Sequence, residues 1–168
     1  EIGESAFFEC TKLNDVVIPS AVKKIGKEAF AECSSLSDNT FNEGLTEIGE
    51  KAFALDTKLV ELSLPNSLTT IGDSAFSDCS GLTTVKFGTG LTSFGSSVFG
   101  GNDTSMPKIT SRTVKGNGSI GPKVIDSTLI SADGKTVYYC SPTFTGTITI
   151  PSGVEKINSS AYAYVKAT

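Results

Sequence analysis

The sequence predicts a mainly β, right-handed solenoid with a parallel sheet on its concave face, short helical or 3₁₀ turns on the other side and a β-hairpin insert. Three observations predict it. A hexad, Ile-Gly-x-x-Ala-Phe, starts at Ile2, Ile25, Ile48 and Ile71 and, in degraded form, at Phe94, with a constant spacing of 23 residues. Apolar residues recur in phase with it: Leu13, Leu36, Leu59 and Leu82 make one column, Ile18, Phe41, Leu64 and Phe87 a second, and Val22, Leu45, Leu68 and Leu91 a third. The hexad phenylalanines Phe7, Phe30, Phe53, Phe76 and Phe99 make a fourth. A fixed period of this length marks coils that bury their apolar faces only against copies of themselves.

Within one period the elements follow in order. Leu62 and Leu64 alternate with Glu61 and Ser63, as a strand with one buried face requires, and Pro65 ends the ladder. Leu68 to Ile71 makes a second short extended piece, and Gly72 is expected to permit a sharp bend. Asp73 to Cys79 is too short for an independent helix, but one helical or 3₁₀ turn would point Ala75, Phe76 and Cys79 inward. Stacked coils make the strands parallel and turn the phenylalanine column into a spine.

The array is expected to occupy residues 1–101. From Asn102 the phase slips, and residues 102–146 are read as an irregular segment, with a loop at Lys115 to Pro122 and a hairpin whose bend is Asp133-Gly134. Residues 147–168 return to the strand-Pro grammar, with a sixth hexad at Ile157 to Tyr162, and all three parts form one continuous solenoid. Neither end carries a polar capping repeat, so a section of a longer array is expected, with any signal peptide or wall anchor lying outside it.

Composition removes several function classes. Lys+Arg is 14 against Asp+Glu 18, net −4, which gives no attraction to nucleic-acid phosphates or an anionic membrane. No apolar run approaches the roughly 20 residues that span a bilayer. The chain has no His, which removes Ser-His and Cys-His catalysis and the commonest general base. No convergent polar cluster suggests an enzyme, and no Gly-Lys-Ser/Thr motif follows the hexad glycines, so neither a catalytic residue nor a cofactor is assigned. Cys10, Cys33 and Cys79 share one column, so their side chains run parallel from coil to coil rather than converging on a metal, and they are expected to be buried structural thiols. Cys140, off that column, is either a free thiol or paired with a residue outside the chain.

The order Leu-x-x-Leu-x-Leu-Pro followed by Leu-x-x-Ile-Gly-x-x-Ala-Phe-x-x-Cys resembles the BspA-like leucine-rich repeats of bacterial surface antigens. The resemblance covers four clean coils over residues 2–99, and Leu129 to Tyr162 looks like a hairpin and restart of the same family. Departures are Asp56 and Asn102 at the Cys position, Asn39 at a strand apolar position, and Asn158 and Tyr162 in the last hexad. The resemblance implies a non-catalytic protein-binding module of a cell-surface or secreted bacterial protein. Its implied partners are host extracellular matrix or other surface proteins, with neither nucleic acid nor membrane contacted by this segment. A structural spacer with no ligand of its own is the alternative. The strand alternation places the candidate binding face on Asp15, Val17, Asp38, Thr40, Glu61, Ser63, Thr84 and Lys86, with Asp15, Asp38 and Glu61 stacked as an acidic column.

Overall fold

A regular coil lays down two strands, because its two apolar alternations are separated by a proline or a polar turn; at the first hexad Ile2 makes only an isolated bridge to Ile25. The computed structural model of the chain describes residues 1–100, 108–111, 123–125, 128–140, 147–159, 161–162 and 165. Coils are numbered here by their hexads, from coil 1 at Ile2 to coil 5 at Phe94. The longer strands are β1 (Asp15–Ile18), β3 (Asp38–Phe41), β5 (Glu61–Ser63), β7 (Thr84–Phe87) and β9 (Lys108–Ser111). The shorter ones are β2 (Lys24–Ile25), β4 (Glu47–Ile48), β6 (Thr70–Ile71) and β8 (Ser93–Phe94).

The short strands form one parallel sheet in the order β2-β4-β6-β8, in which Ile25, Ile48, Ile71 and Phe94 are register partners. The long strands are also parallel, but they divide into a pair, β1-β3, and a trio, β5-β7-β9. β9 pairs Ile109 with Val85, one residue later than the 23-residue period would place it, so the sheet continues across the slip in phase.

The spine is a stack of rings. Phe7 to Phe30 is 4.9 Å between centroids, Phe30 to Phe53 5.1 Å, Phe53 to Phe76 5.3 Å and Phe76 to Phe99 6.0 Å, with the planes nearly parallel. The spacing follows from the ladder, because rings on consecutive coils can stand no closer than the strands that carry them. Phe41, on β3 of the preceding coil, meets Phe53 edge-on, and Leu36, Leu45, Leu59, Leu62 and Leu68 fill the space between the sheets.

The third side of the coil departs from expectation. No helix occurs among the described residues; the segment after each hexad glycine is a run of turns. Short i to i+3 bonds, such as Ala54 N–H to Lys51 O at 3.1 Å, alternate with bonds to the next coil, such as Phe53 N–H to Ala75 O at 2.8 Å. Sending every second N–H sideways is incompatible with a helix. It requires left-handed backbone at two places per coil, seen at Lys51 (φ 53°) and Leu55 (φ 66°) and repeated at Ser5 and Glu9, Glu28 and Glu32, and Ser74 and Asp78.

The hexad glycine is also not a conformational bend. Gly26, Gly49, Gly72 and Gly95 do not adopt positive φ; a Cβ on Gly72 would stand 2.6 Å from Glu50 N and 2.7 Å from Gly49 C. The residue is glycine because the preceding coil's backbone passes through the space a side chain would need.

Beyond coil 5 the stack is covered by a different unit. β10 (Lys123–Ile125), β11 (Thr128–Ile130), β12 (Thr136–Cys140) and β13 (Lys156–Ile157) form a four-stranded sheet in that order. β11 and β12 are the expected hairpin: Gly134 takes φ +78°, and Asp133 accepts hydrogen bonds from Ser131 Oγ (2.6 Å) and Lys135 N (2.9 Å). The loop expected at Lys115 to Pro122 lies outside the described residues. Tyr138 stacks on Phe94 at 5.5 Å and donates to Thr92 O at 2.9 Å, while Tyr139 meets Phe99 edge-on at 5.3 Å. The hairpin therefore supplies the rings that a sixth coil would have supplied.

The restart stacks on the hairpin. β13 pairs with β12 in parallel, Ile157 opposite Val137. Asn158, which replaces the hexad glycine, donates from its side chain to Phe94 O at 2.7 Å. In the regular coils the equivalent carbonyls, those of Ile48 and Ile71, receive the glycine N–H instead.

Candidate protein-binding face

The eight face residues stand on the long strands, pointing away from the core that Val16, Leu62 and Val85 enter from the other side. Asp15, Val17, Asp38, Thr40 and Glu61 are exposed; Ser63, Thr84 and Lys86 are half-buried. The ladder makes Asp15 the register partner of Asp38 and Val17 of Thr40, and likewise Glu61 of Thr84 and Ser63 of Lys86. No ladder joins β3 to β5, so the face consists of two blocks.

The blocks differ in charge. Asp15 and Asp38 stand side by side beside Val17, which is 62% exposed. Glu61, expected to extend them into an acidic column, is instead ion-paired with Lys86 of the next coil. The hydrogen bond from that ammonium holds the Glu61 carboxyl below the ordinary range. Reading each column separately missed this pair, because Lys86 is the diagonal neighbour of Glu61, one coil on and two residues further along the strand.

Between the blocks Asn39 takes the core-facing place held by Val16 in the coil before, with both amide atoms buried and without a partner. The coils are rejoined just past the strand. Glu43 accepts from Asn66 N (3.0 Å), Asn66 Nδ2 (3.1 Å) and Ser67 N (3.0 Å). Partial burial pushes the Glu43 carboxyl up, but these bonds outweigh it and leave it below its usual range.

The cysteine column is internal, as its spacing predicts. Cys33 and Cys79 are buried and donate to carbonyls 26 residues earlier, Cys33 Sγ to Phe7 O at 3.2 Å and Cys79 Sγ to Phe53 O at 3.0 Å. Burial pushes the Cys33 thiol up to about 11 and Cys79 further in the same direction. Cys10, on coil 1, is only half-buried. Native thiol labelling at pH 8 is therefore expected to modify Cys10 first and to leave Cys33 and Cys79 unmodified until the array unfolds; labelling of all three at one rate would contradict the burial. Cys140 is buried on β12. Among the described residues no group of acidic, Cys or His side chains is arranged to hold a metal ion, and no helix is long and apolar enough to cross a membrane.

Residues 1–124 match the family model described as the BspA type leucine rich repeat region, in six copies. The crystal structure of a leucine rich repeat protein from T. pallidum is similar at 34% identity, over 59% of this chain and 46% of that one, with a TM-score of 0.58. The pneumococcal vaccine antigen PcpA shares the fold at 22% identity, over 92% of this chain and 43% of that one, with a TM-score of 0.58. A leucine rich cell surface protein from Faecalibacterium prausnitzii does so at 21% identity, over 99% and 57%, with a TM-score of 0.54. The chain thus spans about half the length of each. No curated protein matches it.

Proposed function

The chain belongs to the BspA-type leucine-rich repeat family, and from that premise we propose that it is a non-catalytic protein-binding module of a bacterial cell-surface or secreted protein, acting in adhesion to host or microbial proteins. Repeats of this family are generally scaffolds for protein contact. The observation that carries the reading is the rigid face: within each of its two blocks, ladders and a stacked ring spine fix the backbone positions from which side chains point outward, so the backbone loses little further freedom on binding. Two similar proteins are described as a vaccine antigen and a cell surface protein, which supports the same location for this one.

On this reading the block of Asp15, Val17, Asp38 and Thr40 takes the basic part of a partner. Its two carboxylates are register neighbours on the open surface, and Val17 adds apolar area beside them. The block of Glu61, Ser63, Thr84 and Lys86 is internally neutralised and contributes shape and hydrogen bonding. A binding screen against host extracellular matrix proteins tests the module; no binding at micromolar concentration would favour the spacer. With a partner in hand, Asp15→Lys and Asp38→Lys together are expected to weaken binding at least tenfold while leaving stability within about 1 kcal/mol, as exposed substitutions do. Unchanged affinity would remove the acidic block from the site.

A further inference from the structure

The junction between coils 2 and 3 gathers several departures from the repeat. β3 and β5 form no ladder, whereas β1 pairs with β3 and β5 with β7. A cleft of about 290 Å³ opens there, lined by Asn39, Phe41, Asn42, Ser63 and Pro65 among others. The Asn39 amide is buried at this junction without a partner. So is the carboxyl of Asp56, which is 0% exposed and occupies the cysteine column of coil 3.

The cysteines of that column indicate what the position requires. Cys33 and Cys79 each donate a proton to a phenylalanine carbonyl of the preceding coil. For Asp56 the equivalent carbonyl is that of Phe30, in coil 2, which receives the Cys33 N–H at a long 3.3 Å. A carboxylate cannot donate to it; a carboxylic acid can. We infer that Asp56 is carried as the neutral acid, its proton directed at Phe30 O as the thiols direct theirs, and that the junction between coils 2 and 3 is a pH-gated break point where the array opens once that proton is lost.

The surroundings of Asp56 favour the neutral form. The titratable groups facing it are the Cys33 thiol from coil 2 and the Cys79 thiol from coil 4, with Asp78 beside Cys79. Burial pushes its carboxyl up to about 8. The same junction is crossed by the ion pair Lys24–Glu47 on the β2-β4 ladder, by Lys27–Glu50 and Lys51–Glu28 in the turns, and by the Glu43 bonds to Asn66 and Ser67. A stacked array is held by nearest-neighbour contacts, so it parts at its weakest junction. The folded pKa lies above the unfolded value of 3.8, so the contribution of Asp56 is complete below about pH 4 and is lost as pH rises towards about 8.

Native-state hydrogen exchange from pH 5 to 9, corrected for the intrinsic rate, tests this on the wild-type chain. The amides of Glu28, Phe30 and Glu32 bond across the junction to Glu50, Ala52 and Ala54; those of Lys51, Phe53 and Leu55 bond across the next one to Asp73, Ala75 and Ser77. Protection of the first set is expected to fall about tenfold per pH unit between pH 5 and 8, one proton being released on opening. The second set should fall less. Asp56→Cys, which restores the column's donor, should flatten the slope, and Asp56→Asn should flatten it independently. Equal loss in both sets, a flat first set in the wild type, or a slope retained in either variant would overturn the inference.

Discussion

Phe53→Ala is expected to destabilise the array by about 3–5 kcal/mol, against about 0.5 kcal/mol or less for Glu50→Ala three residues earlier. Phe53 is fully buried at the centre of the spine, stacked between Phe30 and Phe76 and met edge-on by Phe41, so truncation removes ring contacts to both adjoining coils, including the one to β3 of the preceding coil. The coil cannot close around the void, because its width is fixed by ladders on both sides. Glu50 is exposed and makes a 3.5 Å ion pair with Lys27, an interaction of small net worth in water. Denaturant unfolding of the two variants checks this: similar midpoints would mean that the spine does not hold the array. The same substitution at Phe7 should cost less, since that ring is 41% exposed.

Gly72→Ala is expected to cost about 1–3 kcal/mol or more, and Gly3→Ala almost nothing, although both occupy the same place in the hexad. At Gly72 the new methyl would fall 2.6 Å from Glu50 N and 2.7 Å from Gly49 C, and both are backbone atoms that cannot swing aside. At Gly3 nothing lies within 4 Å. Were the glycine needed for backbone freedom, the two substitutions would be equally damaging. Comparable unfolding midpoints for the pair would therefore restore the bend and discard the close-approach explanation.

Much of the molecule was legible from periodicity. In-phase columns of Phe, Leu and Ile imply stacked coils, because only stacking buries a face that one coil cannot cover alone, and the alternation around Leu62 implies which side chains leave the core. The thiol column followed from the same logic: Cys33 and Cys79 are interior because equivalent positions on successive coils share one environment. The Asp-Gly bend of the hairpin was legible because its φ requirement is local. The turns after the hexad glycine were misread as helical, since Lys51 and Leu55 carry no mark of left-handed backbone; they adopt it because alternate N–H groups are drawn to the next coil.

Residue order alone therefore carries the repeat: its period, its core columns and its outward positions, all properties of one coil that stacking only multiplies. The contacts between coils come from the folded arrangement. It set the ion pair that takes Glu61 out of the acidic column, the missing ladder between β3 and β5, the docking of Tyr138 and Tyr139 on the fifth coil, and the donation of the Asn158 side chain to Phe94 O. The physical reason is that each of these depends on a distance of a few ångströms between residues 23 or more apart in the chain, fixed by ladder register and hairpin placement, to which the identity of the residues in any one coil gives no access.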